Sequence, residues 1–185
     1  MSAFRSYTYK SAIINSMIFT KITTIMMTLA LGVAKAHVHI DPNQAKPGST
    51  FNTSFTVPHG CDGSPTVEID VTVPPEVLSI QPAQVDGWKL DVHYRDLSKP
   101  ERVNGQTINR TIANITWSGN QLAPTEKQLF GVVIQVPQVN LTESNSNVTL
   151  YFPVVQKCVN GTSLWTDTSG KGESTVEGAP EPAPS

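Results

Sequence analysis

The chain has 185 residues, with 13 basic and 15 acidic side chains and only 15% charged residues. The formal net charge is −2, and a chain of this length fits one domain with a real core.

The N-terminal segment reads as a secretory signal. Lys21 ends a basic region, Ile22 to Val33 form an apolar stretch, and Ala34-Lys35-Ala36 supplies small residues at the two recognition positions of a cleavage site. The alternative is an uncleaved membrane anchor, but the apolar run is shorter than the ~20 residues a spanning helix needs. Initiation at either Met1 or Met17 fits the pattern. Cleavage after Ala36 would remove Arg5, Lys10, Lys21 and Lys35 and no acids, leaving a net charge of about −6 on the product, which argues against nucleic acid as a partner. The expected organisation is therefore a signal peptide over 1–36, one domain over 37–168, and a flexible tail over 169–185.

Six Asn-X-Ser/Thr sequons follow, at Asn52, Asn109, Asn114, Asn140, Asn147 and Asn160. Such a number points to a eukaryotic secretory pathway and a product that leaves the cell or stays in the wall, with no C-terminal membrane span or lipid-anchor signal. In that oxidising compartment Cys61 and Cys158 are expected to pair. The bridge would close a loop worth near ~4.7 kcal/mol in chain entropy, less any native strain.

From residue 37 onward the pattern is that of strands. Thr50–Val57 alternates apolar and polar residues, and Thr66–Val73 places Val67, Ile69, Val71 and Val73 at a period of two. Further strands are expected at Trp88–Tyr94, Gln106–Trp117, Gln128–Val136 and Asn147–Val155. Breaks are read at Pro74-Pro75, Asp86-Gly87, Ser118-Gly119-Asn120 and Asn160-Gly161. No amphipathic helix of useful length is present, so the expected fold is an all-β, antiparallel, immunoglobulin-like sandwich. The Gly-, Ser-, Pro- and Glu-rich stretch after Ser169 gives the expected flexible tail.

Ala36-His37-Val38, Val57-Pro58-His59-Gly60-Cys61-Asp62-Gly63-Ser64-Pro65-Thr66, Gly87-Trp88-Lys89-Leu90, Thr116-Trp117-Ser118-Gly119 and Leu150 to Cys158 occur in order along the chain. Trp165 and the closing Glu181-Pro182-Ala183-Pro184 complete the set. Together these segments resemble the YcnI-type copper-binding domain of secreted and envelope proteins. That resemblance implies a β-sandwich and a copper site in which a mature N-terminal histidine binds through amine and ring, with a tryptophan beside the metal and a carboxylate among the ligands. On this sequence it implies His37 and Trp165 at the copper, with Asp62, Asp167 and Glu181 as alternatives for the carboxylate. The chain departs from many relatives in carrying His39, and it lacks the C-terminal membrane span of bacterial members.

Read without the resemblance, His37 is either an exposed terminus or half of a Cu(II) site, and Trp165 is a core residue. An α-amine and an imidazole on one residue form a ready chelate, and Cu(II) leads the divalent ions in affinity for nitrogen ligands. All four methionines (Met1, Met17, Met26 and Met27) precede the cleavage point, and both cysteines are expected to be bonded, so soft donors for Cu(I) are lacking. His39 has three readings: a ligand in an amide-wrapping terminal site, a second imidazole on the His37 face, or a solvent-facing strand residue. His59 reads as structural, His93 as a surface strand residue, and Trp88 and Trp117 as core.

Three functions remain open at this stage. The leading one is a secreted protein that captures, buffers or delivers Cu(II) without turnover, with the ion and a copper donor or acceptor protein as partners. The second is an oxidative polysaccharide-cleaving copper enzyme, for which His59, His93 and Tyr151 lie in no recognisable motif. The third is a metal-free adhesion or wall module.

Overall fold

The structure is a computed structural model describing residues 37–142, 147–171 and 181–185. The expected signal peptide, and with it Ala36, lies outside the described residues. Among the described residues ten strands form two sheets. Strands β1 (His39–Asp41), β2 (Thr50–Val57), β7 (Gln128–Gln135) and β4 (Ser79–Pro82) make a four-stranded sheet in the order β1-β2-β7-β4. The second sheet has six strands, in the order that follows. It is built from β10 (Glu181–Pro182), β9 (Gly161–Asp167), β8 (Val154–Cys158), β3 (Thr66–Thr72), β6 (Gln106–Leu122) and β5 (Lys89–Val103). All pairings are antiparallel except β10 with β9. Among the described residues no helix is long and apolar enough to cross a membrane.

The core lies between the sheets. Phe55, Phe130, Val132 and Ile134 face it from the smaller sheet, and Ile69, Val71, Ile115, Trp117, Val154 and Trp165 from the larger. Large aromatics fill its centre, with Trp88 and Trp117 both 5.1 Å from Phe130 and Phe55 5.6 Å from Phe152 between ring centroids. The Trp117 indole N–H donates to the Ala83 carbonyl at 3.0 Å, so this ring is buried without an orphaned donor.

The expected sandwich and the Cys61–Cys158 bridge are both present. Several boundaries differ, each for an identifiable reason. In β3 the inward period of two begins at Ile69 rather than at Val67: Thr66 is fully buried, Val67 only half-buried, and the pairing with β8 slips between Thr66 and Glu68. A β-bulge at Val67 hands the inward position to Thr66. Ser118-Gly119-Asn120 is not a break but lies inside β6, where Gly119 adopts φ +82°. The real hairpin turn between β5 and β6 is Asn104-Gly105, with φ +51° and +81°, the left-handed pair that two-residue hairpins require.

Residues 147–153 form no strand, and β8 begins only at Val154. Pro153 has no N–H to give a ladder, and its carbonyl accepts from Thr72 instead. The end of the expected flexible tail is ordered. Ala183 N–H donates to Asp167 O and Phe152 N–H to Pro184 O, both at 2.8 Å, and Ala183 is 5% exposed. A proline-rich segment is a legitimate edge strand, because the missing N–H groups can face away from the ladder. The domain therefore takes in Glu181–Ser185 and does not stop at residue 168.

Replacing both Cys61 and Cys158 by serine is expected to lower stability by about 2–5 kcal/mol, read from denaturant melts. A loss below about 1 kcal/mol would mean that the bridge constrains little of the unfolded chain.

Candidate metal site at the sheet seam

The candidate site lies where the edges of the two sheets meet. On one side, Val38 (2% exposed) and Ile40 (7%) insert into the core, which fixes the direction in which β1 arrives. Strand alternation then turns His39 outward, while His37, just ahead of the strand, is half-buried. On the far side, Trp165 lies in register with Val154 on β8 and with Glu181 on β10. Register partners in a sheet share a face, so Val154, Trp165 and Glu181 form a row across three strands. The His37 ring packs edge-on to the Trp165 indole, centroids 5.2 Å apart and planes at 69°. An open groove of about 320 Å³ runs along this seam, lined by His37 to Ile40, Asn43 and Pro182 to Ser185.

Glu181 is the carboxylate that the fold brings to this row, and its Oε2 is buried. Asp167 lies two residues beyond Trp165 on the same strand, but its carboxylate is engaged elsewhere. It accepts from the Ser169 backbone N–H at 2.8 Å and from the Ser169 hydroxyl at 3.0 Å. Those two bonds hold its pKa below the usual carboxylate range, the backbone bond contributing most. Asp62 belongs to a different place. It sits in the Cys61–Ser64 turn, and Ser64 Oγ accepts from the Asn160 N–H at the β8–β9 turn. Trp165 is four residues down β9 from that turn, about 13 Å away. Asp62 opens instead onto a separate depression of about 260 Å³, shared with Asn160 and Thr162.

His39 is exposed, and its Nδ1 is 2.9 Å from the His37 carbonyl oxygen. A carbonyl can only accept, so Nδ1 is the donor in this contact. Among the described residues no three His, Cys, Asp or Glu side chains converge as a set able to hold a metal ion. Elsewhere, His93 is an exposed residue of β5 paired with Asn114, and the His59 ring nitrogen Nδ1 bonds the Gly60 carbonyl. Five sequon asparagines, Asn52, Asn109, Asn140, Asn147 and Asn160, are exposed. Asn114 is half-buried, its Nδ2 donating to Asp70 and Thr72 at 3.2 Å each.

Sequence reasoning overlooked one residue here. Gln156, 1% exposed, accepts the Trp165 indole N–H on its Oε1 at 3.0 Å. Its signal was a lone polar residue between Val154 and Cys158 at inward-facing positions of β8.

The model of the family described as Domain of unknown function (DUF1775) matches residues 37–185, the whole region from His37 onward. The chain belongs to the DUF1775 family. An uncharacterized protein from Nocardia farcinica, whose crystal structure has an immunoglobulin-like fold, is similar at 25% identity with a TM-score of 0.55. The match covers 80% of this chain and 94% of that one. No curated protein matches significantly. The immunoglobulin-like sandwich of this DUF1775 member thus agrees with both its sheet topology and that solved structure.

Since Asp167 is held ionised by Ser169, whatever that pair contributes is present above the ordinary carboxylate range and is lost as pH falls through the depressed value. Substituting Ser169→Ala removes the hydroxyl bond, so the Asp167 carboxyl resonance is expected to titrate at higher pH than in the parent protein. An unchanged NMR titration would mean that the hydroxyl does not reach the carboxylate in solution.

Proposed function

We propose that this protein, once its chain begins at His37, binds one Cu(II) ion at the seam and serves to capture, buffer or deliver copper outside the cell. The observation that supports this reading most is the packing of His37 against Trp165 with Glu181 in register beside it. In this reading the α-amine and the imidazole of His37 supply two nitrogens, Glu181 supplies an oxygen, and Trp165 covers one side of the ion. Hard oxygen and borderline nitrogen donors suit Cu(II), whereas Cu(I) would find no thiolate or thioether, since the two cysteines from residue 37 onward are joined to each other. Copper is cargo here, bound without turnover, and the partners are the proteins that give or receive it. Glu181 is preferred over Asp167 and Asp62 because the first of these is bonded to Ser169 and the second belongs to the far turn.

Competition titration of protein with a verified His37 terminus is expected to give one tight Cu(II) equivalent and much weaker Cu(I) binding. One extra residue ahead of His37 turns the amine into an amide and is expected to weaken Cu(II) by roughly 100-fold or more, about 2.7 kcal/mol. Glu181→Gln should weaken it less, while His39→Ala should leave the copper EPR spectrum unchanged. Equal affinity of the parent and extended chains would refute the terminal chelate. Peroxide or oxidised sugars formed by the loaded protein with a reductant would move the reading to the oxidative enzyme class.

A further inference from the structure

Trp165 is 5% exposed and carries a single polar atom, the indole N–H. A buried donor of this kind has to find an acceptor or lose a bond's worth of solvation. The acceptor is Gln156 Oε1, 3.0 Å away. Gln156 stands two residues from Val154, the strand partner of Trp165, and leaves β8 on the same inward face.

The other end of the Gln156 amide is held as firmly. Its Nε2 donates to the His59 carbonyl and to Thr66 Oγ1, both at 2.8 Å, and Thr66 is fully buried. These three bonds decide which way the amide faces. A flipped amide would set its NH₂ against the indole N–H, donor to donor, and its oxygen against the His59 carbonyl, acceptor to acceptor. The disulfide stands next along the same face. Cys61 N–H donates to Cys158 Sγ at 3.0 Å, and Cys61 Sγ lies 3.7 Å from the Gln156 carbonyl oxygen. The bulge that buries Thr66 in place of Val67 is what provides the hydroxyl to this network.

We propose that Gln156 is a positioning residue for the seam: it fixes the rotation of the Trp165 indole, so that the N–H points into the sandwich and the carbon surface of the ring meets His37. The proposal rests on the copper reading above and adds the device that sets the shape of that site. With its N–H engaged inside, the indole offers the ion no hydrogen-bond donor that could recruit a water molecule. It acts as a dry wall. Groups that orient metal-site residues from behind typically cost 10–100-fold in affinity when removed, and Gln156, one residue further back, belongs at the lower end.

The test uses Gln156→Leu, which removes all three bonds at similar volume, and Gln156→Glu, which as the neutral acid keeps an acceptor for the indole and one donor toward the His59 carbonyl. In the metal-free protein, the Trp165 indole N–H resonance of the parent is expected to resist hydrogen exchange, and that of Gln156→Leu to exchange rapidly. With Cu(II) added, Gln156→Leu is expected to bind about 10-fold more weakly and to raise the paramagnetic relaxation of water protons, because water reaches the ion. In a Trp165→Phe background, which has no indole N–H, Gln156→Leu should change copper affinity no further. Should Gln156→Leu fail to fold, Gln156→Glu decides, with a protected indole N–H and copper affinity within about threefold of the parent expected. A freed indole N–H with unchanged copper affinity and water relaxation overturns the proposal, as does an equal effect of Gln156→Leu in the Trp165→Phe background. A parent protein that binds no copper at all is a different result: it removes the copper reading, while the exchange measurement still reports on Gln156 and the indole.

Discussion

The indole N–H of Trp165 cannot be left unbonded inside a β-sandwich, and Gln156 is the group that receives it. Much of the seam follows from this requirement. Satisfying the N–H from within turns the indole outward to meet His37. Anchoring Gln156 needs a hydroxyl at residue 66, which the bulge in β3 supplies, and a carbonyl at residue 59, which the chain approaching Cys61 supplies. The disulfide then ties that approach to the end of β8. A buried amide joined on all sides costs less than an apolar side chain that would orphan three partners, and it selects one ring orientation where an all-apolar packing would permit several.

The two edges of the sandwich give this network its use. β1 brings His37 from the smaller sheet, and β10 brings Glu181 in parallel register beside β9 from the larger. Neither strand is long, so neither is specified by its own pattern. Val38 and Ile40 hold the first by burial, and the second is held by backbone bonds through Asp167, Ala183 and Pro184. Both ends of the folded domain are thereby drawn to a single line of contact. Edge strands are exposed to unwanted pairing, and a short proline-bearing strand such as β10 is a usual way to blunt one.

How legible all this was in the sequence depends on how local the cause is. The alternation of Ile69 and Val71 is a matter of neighbouring residues, and it located β3 and the core face correctly. The cysteine pair required only the arithmetic of two thiols in an oxidising compartment. The Val67 bulge was hidden because its cause is tertiary: Gln156 needs Thr66, ninety residues away. Glu181 could not be preferred over Asp167 and Asp62 from composition, since the three are told apart by register, by a bond to Ser169 and by distance along β9. The tail misled because proline, glycine and glutamate suggest flexibility, while a few backbone bonds at an edge are enough to order its last residues.

The central claim is that a terminal amine and a histidine ring grip one ion against a wall of tryptophan. Pulsed EPR of Cu(II)-loaded protein with a verified His37 terminus, compared with protein carrying a nitrogen-15 label in His37 alone, tests it most directly. The account predicts two inequivalent nitrogen couplings that both change with that label, one from the amine and one from the imidazole. Couplings that ignore the label, or nitrogen signals from imidazole rings only, would contradict it.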